Sequence, residues 1–193
     1  IVLLQYLLAG AVAGVNPFTA LKNMLPAYFT ALGTSSSAAT IPVTYESTLK
    51  NKVEEEVAGF VVPLCATIHL SGSMMKITLY ALSIVYMASL DITSGQVVGF
   101  ILLLGIMMIA APGVPGGAIM AAVGLLQSNL GFDESMVSLM IASYIVVDSF
   151  GTAANVTGDG AVALIVNKFA SGKLHKQSPI DEPSVAATGS TAV

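Results

Sequence analysis

Asp148, Thr152, Asn155 and Asp159 follow one another at spacings of four, three and four residues inside a stretch that is otherwise apolar or small. A helix over this stretch stacks all four within roughly 60° of one face. Two carboxylates on one stripe in apolar surroundings require cations, because an isolated buried charge is too costly to keep. Ionisable groups inside membrane-spanning segments mark ion paths, proton relays or binding sites rather than packing. Residues Ile145 to Lys168 therefore read as the centre around which the rest of the chain is organised.

Composition sets the surroundings of that stripe. Of the 193 residues 55% are hydrophobic and only 9% are charged, against about 25% charged in a soluble domain. The chain reads as an all-α integral membrane protein, and with no arginine and a net charge of −4 it offers no basic face to nucleic acid. Cys65 stands alone, so an internal disulfide framework is excluded. The sequence begins at Ile1 within an apolar run that lacks the features of a signal peptide, which suggests a chain cut inside a helix. Lys22, Lys50, Lys52, Lys168, Lys173 and Lys176 flank some connections, whereas Asp91, Asp133 and Glu134 mark others that carry no basic residue. Positive connections stay cytoplasmic. That rule puts the Lys50 to Glu56 connection and the C-terminal tail inside a cell membrane, and the loops at Asp91 and Asp133 outside.

Along the chain, residues 1–13 read as the end of a spanning helix. Residues 17–50 form two short apolar arms around Gly33-Thr34-Ser35-Ser36-Ser37, each arm short for a span of about 20 residues. They suit a re-entrant hairpin. Residues 54–90 are one span interrupted at His69-Leu70-Ser71-Gly72-Ser73. Residues 93–129 repeat the hairpin pattern from the other side, turning at Pro112 to Gly117, where two prolines and three glycines cannot continue a helix. Residues 133–169 are expected to be the last span, and 170–193 a disordered cytoplasmic tail. Two hairpins entering from opposite sides, each followed by a span, make an inverted repeat. Discontinuous helices meeting near the midplane are the layout of secondary transporters.

Three motifs then carry a resemblance. Thr34 to Thr44 (TSSSAATIPVT), Gly113 to Met120 (GVPGGAIM) and Asn155-Val156-Thr157-Gly158-Asp159 resemble the two hairpin tips and the last-helix signature of the dicarboxylate/amino acid:cation symporter family. That family includes glutamate and neutral amino acid transporters. The resemblance covers residues 1 to 170 and implies a transport core that works by alternating access, not an enzyme. It also implies a homotrimer assembled through an N-terminal scaffold that precedes the core.

By matching position, the resemblance implies that Ser35, Ser36, Ser37, Val114 and Gly116 surround a substrate carboxylate through their backbone, with Ser73 and Asn155 assisting. Asp148 takes the substrate amino group, and Thr152 lies one turn further on. One sodium site is implied at Asp159 and Asn155 with carbonyls near Cys65 and His69. A second lies between carbonyls near Thr67 and Leu70 and those of Met108, Ile109 and Ala111. A proton is the alternative coupling ion.

Two departures from the family pattern bear on substrate. Members that carry acidic solutes place an arginine three residues after the position of Asp148, where this chain has Gly151. The expectation is therefore a small neutral amino acid such as serine, threonine or alanine, as in serine/threonine symporters. Replacing Gly151 by arginine is then expected to shift preference toward acidic solutes if the pocket has room. The broken span reads His69-Leu70-Ser71-Gly72-Ser73 where the family reads Asn-Met-Asp-Gly-Thr, which puts one further sodium site in doubt. Lys76 is an unusual cation in this segment. An alternative is a dicarboxylate or acidic amino acid symporter that draws its positive charge from Lys76. An intramembrane serine hydrolase built from Ser35 to Ser37, His69 and Asp148 is the competing class, but no Gly-x-Ser-x-Gly elbow supports it.

Overall fold

A computed structural model describes residues 1–174, and these form ten helices and no strands. Helix α1 (Val2–Ala13) stops at Gly14, whose φ of 73° lies in the left-handed region that suits glycine. The chain turns by 119° into α2 (Pro17–Asn23). The Asn16 side chain starts α2 by accepting from the Phe18 and Thr19 amides. After a kink at the fully buried Met24, α3 (Leu25–Thr34) runs to the first tip and α4 (Ser37–Lys50) returns against it. Helices α5 (Glu55–Ile68) and α6 (Ser71–Met87) follow as one interrupted span. The second hairpin is α7 (Ser94–Met108) and α8 (Gly117–Leu130); α7 opens on a capping box between Thr93 and Gln96. Helix α9 (Glu134–Val146) and the long α10 (Asp148–Leu174) complete the described chain.

The buried apolar residues fall into two clusters. One unites α1, α2, α3, α5 and α10, including Tyr6, Met24, Val57, Val61, Val156 and Leu164. The other unites α6 to α9, including Ile77, Phe100, Leu104, Ile119, Leu126 and Met140. Each interrupted span thus places one half in each cluster. The chain crosses from one cluster to the other at its breaks, His69-Leu70 and Val147. Helix α10 packs against α1, α3, α4, α5 and α6, so its polar stripe lies along the seam between the clusters. The outward faces stay apolar, with Leu4, Phe18, Phe29, Phe60, Leu102, Ile106 and Phe169 exposed. That is the surface expected where lipid or further protein is the surrounding medium. Glu55–Met87 is long and apolar enough to cross a membrane. Two bent pairs, Val2–Ala13 with Pro17–Asn23 and Glu134–Val146 with Asp148–Ala170, reach the same standard together.

The helices, both hairpins and the interrupted span agree with the sequence, while the breaks differ in place and number. The last span, residues 133–169, is itself broken, because the chain bends by 62° between Glu134–Val146 and Asp148–Ala170. No glycine or proline announces that bend. At the bend Val147 O accepts from the Lys76 ammonium at 3.0 Å as well as from the Phe150 amide at 3.3 Å. The interruption expected over His69 to Ser73 is limited to His69 and Leu70, and Ser71, Gly72 and Ser73 form the first turn of α6. Their helix start is capped from a distance, since Asn155 Oδ1 accepts from the Gly72 and Ser73 amides at 2.8 and 3.3 Å. The first tip is narrowed to Ser35 and Ser36. The expected disordered tail starts inside α10, and its remainder, 175–193, lies outside the described residues.

Asn155 gives a direct test of how the break is held. Asn155→Leu leaves two buried amides of α6 without an acceptor, a loss of about 1–3 kcal/mol for each unsatisfied group. Thr157→Val is the control, because that hydroxyl bonds only Ala153 O of its own helix. In thermal unfolding of the detergent-purified protein, the Asn155 variant is expected to melt several degrees below the Thr157 variant.

Candidate functional site

The two hairpin tips meet. Ser36 Oγ and the Ala38 amide both donate to Gly113 O, at 3.0 and 3.1 Å. The second tip in turn presses on the end of α5, because a side chain on Gly113 would run into Ala66 O. Glycine is required there by close approach rather than by an unusual φ. Ser35 and Gly116 carry the turns, with φ of 50° and 73°. Between the tips and the seam lies a small cavity. Its walls include Ser35 and Ser37 of the first tip, Pro112, Gly113 and Val114 of the second, Leu70 and Ser73 of the broken span, and Tyr144, Asp148, Thr152 and Asn155. Helices α4, α6, α8 and α10 all begin at this cavity, so four positive helix ends converge on it.

Each residue of the α10 stripe is tied to a different neighbour. Asp148 Oδ2 accepts from the Gly116 amide at 2.8 Å, and Oδ1 lies 3.3 Å from Lys76 Nζ. The Asp148 side chain is buried at 8% exposure, and that of Lys76 is largely buried at 12%. Lys76 Nζ also sits 3.9 Å from the centre of the Tyr144 ring, a cation–π contact. Thr152 Oγ donates to Asp148 O at 3.1 Å and approaches Ser35 O at 3.4 Å. Asn155, besides capping α6, donates from Nδ2 to Ser73 Oγ at 3.0 Å. All nine expected substrate-contact positions therefore gather at the meeting of the tips: Ser35, Ser36, Ser37, Ser73, Val114, Gly116, Asp148, Thr152 and Asn155.

Asp159 stands apart, in a second polar cluster. Its Oδ1 lies 2.8 Å from His69 Nδ1, and its Oδ2 is buried with no hydrogen-bond partner. His69 Nε2 lies 3.0 Å from Gln5 Nε2, which donates to Ser71 Oγ at 3.2 Å. Gly158 makes the room, since a side chain there would overlap the His69 ring and lie 2.7 Å from Gln5 Oε1. The structure thus brings the imidazole of His69 to Asp159. Cys65 O accepts the His69 amide at 2.9 Å, and Asn155 Oδ1 is committed to α6. Asp159 Oδ2 and Gln5 Oε1 are the buried side-chain oxygens of this cluster that have no hydrogen-bond partner and are able to receive a cation. For the second expected cation site, Leu70 O and Met108 O already accept the Met74 and Ala111 amides. Thr67 Oγ donates to Leu64 O, Ile109 is exposed and Ala111 is buried. Among the described residues no three His, Cys, Asp or Glu side chains converge.

Sequence reasoning missed Gln5 and Tyr144. Gln5 is the single amide in the apolar run 1–13, and Tyr144 lies one helical turn before Asp148 in sequence. Those were the available signals.

Discontinuous helices with facing tips and a buried acidic stripe define a secondary-transporter core. The sequence profile of the sodium:dicarboxylate symporter family matches residues 1–169, and the chain belongs to that family. It is 34% identical over 171 residues to excitatory amino acid transporter 3 of Mus musculus, covering 88% of this chain and 32% of the relative. It is 33% identical over 171 residues to the Homo sapiens protein of the same name, with 88% and 32% covered. Excitatory amino acid transporter 1 of Ambystoma tigrinum is 35% identical over 161 residues, with 83% and 30% covered. The chain thus spans about a third of the length of the curated relatives it matches.

Two glycines on helices should respond with opposite signs. Gly158→Ala forces His69 and Gln5 away from Asp159 and should lower the melting temperature. Gly124→Ala in α8 meets nothing within 4 Å and should raise stability by up to about 1 kcal/mol through helix propensity. Paired thermal melts check both.

Proposed function

We propose that this chain is the solute-binding core of a cation-coupled symporter for small dicarboxylates or acidic amino acids. The observation that carries this is the largely buried Lys76 ammonium paired with Asp148, whose carboxylate lines the cavity at which four helices begin. A carboxylate at helix starts is favoured by the backbone dipoles and exposed N–H groups. A second carboxylate needs a cation as well. The expectation of a neutral substrate rests on glycine in place of arginine at position 151, and Lys76 brings a cation to that place: a methyl added at Gly151 would lie 2.6 Å from Lys76 Nζ. The family's name for dicarboxylates and the relatives' names for excitatory amino acids point the same way.

Coupling would follow from linkage. A sodium ion, or a proton in its place, at the orphaned Asp159 Oδ2 and a solute at the tips would each stabilise the closed arrangement of α10 with the hairpins. Each then strengthens binding of the other. The loaded core would move against a scaffold outside this chain, in a trimer within the cell membrane, with the α10 end cytoplasmic. No covalent step is involved.

Uptake of aspartate, succinate, serine, alanine and threonine by the complete protein in proteoliposomes, with and without an inward sodium gradient, is the test. Sodium-driven uptake of aspartate or succinate is expected. Uptake confined to the neutral amino acids would refute the proposal, and gradient-independent uptake would refute sodium coupling. Asp159→Asn should reduce the sodium dependence and leave the ranking of solutes unchanged.

A further inference from the structure

Lys76 is neither packing filler nor a lysine reaching for the membrane surface. Its ammonium points inward, bonded to Val147 O at the end of α9, stacked on Tyr144 and paired with Asp148. The seat it occupies lies directly against Gly151: in this arrangement a Cβ there would overlap the lysine's Cε and stand 2.6 Å from Nζ. Lys76 on α6 and Gly151 on α10 are therefore one device.

We propose, building on the acidic-solute reading above, that Lys76 seated at Gly151 is the specificity-determining cation of this site, and that the Lys76–Asp148 pair opens by exchange of partners when solute binds. Charge counting supports the exchange. Without solute, one ammonium and one carboxylate neutralise each other. A solute with an ammonium and two carboxylates gives every charge a partner: its ammonium takes Asp148, its distal carboxylate takes Lys76, and its other carboxylate takes the helix starts at the tips. A neutral amino acid draws Asp148 away and leaves Lys76 buried and unpaired. A dicarboxylate without an ammonium finds Lys76 still shared with Asp148. Truncating one partner of a buried charge pair is costly because the other charge is stranded, so both mismatched solutes are disfavoured relative to an acidic amino acid.

The same geometry makes the cation movable. Gly151→Arg on its own finds the space beside residue 151 already held by the Lys76 side chain, so the two cations compete for that room. Removing Lys76 creates that room.

The experiment measures uptake of aspartate, succinate and serine by the complete protein in proteoliposomes. It compares the parent with Lys76→Met, Lys76→Arg, Gly151→Arg and the double variant Lys76→Met/Gly151→Arg, each first checked for a monodisperse elution profile. Lys76→Met should raise the KM for aspartate about 100-fold and affect serine far less, a split that a purely structural lysine would not produce. The double variant should recover aspartate uptake to within about tenfold of the parent, and Gly151→Arg alone should not. If the double variant fails to fold, Lys76→Arg decides, since it keeps a cation on α6 and should retain aspartate over serine. Retention of aspartate KM by Lys76→Met, or a folded double variant that takes no aspartate, overturns the assignment while the acidic-solute reading stands. A parent that takes serine and no aspartate overturns that reading itself.

Discussion

The carboxamide of Asn155 holds the fold at its weakest point. A helix interrupted inside an apolar assembly leaves amides and carbonyls that water cannot reach, and each must find a partner in the protein. Asn155 Oδ1 meets two amides at the start of α6 while its Nδ2 meets Ser73. The break in one span is thereby closed by a side chain of another. The same division of labour recurs along α10. Asp148 fastens the second tip at Gly116, Thr152 reaches Ser35 of the first, and Asp159 holds His69 at the end of α5. A stripe that is isolated in sequence becomes the shared partner of every irregular segment near the seam.

Two apolar clusters explain why those segments lie where they do. Each broken span contributes one half to each cluster, so its interruption falls at the boundary, together with both hairpin tips. The electrostatic result is four helix starts around one cavity. Their positive ends are met in this state by Asp148, whose own charge is balanced by Lys76. One carboxylate and one ammonium cancel, and the partial positive charge of the helix ends remains at the cavity.

Much of this was legible in the sequence because it rests on strong local signals. The spacing of Asp148, Thr152, Asn155 and Asp159 fixes one face of a helix, and the glycines and prolines of Pro112 to Gly117 stop one. The bend at Val147 was not legible, because it is stabilised by a lysine 71 residues away in sequence and carries no breaker of its own. Gln5 and Tyr144 were hidden for a similar reason, as a single amide and a single phenol become informative only when their neighbours are known. In the sequence Gly151 reads only as a position without a cation. That it vacates a seat for Lys76 depends on the approach of α6 to α10, which periodicity does not encode. The same holds for His69, whose ring reaches Asp159.

The Lys76–Asp148 pair ties these elements together, and a double-mutant cycle on thermal stability tests it most directly. Lys76→Met, Asp148→Asn and the double variant are melted side by side in the purified, solute-free protein. Each single change leaves a buried charge or a buried polar group without its partner, so each should lower the melting temperature markedly. The double variant should lie well above the sum of the two losses. Simple additivity of the two effects would mean that the charges do not interact, and it would contradict the account.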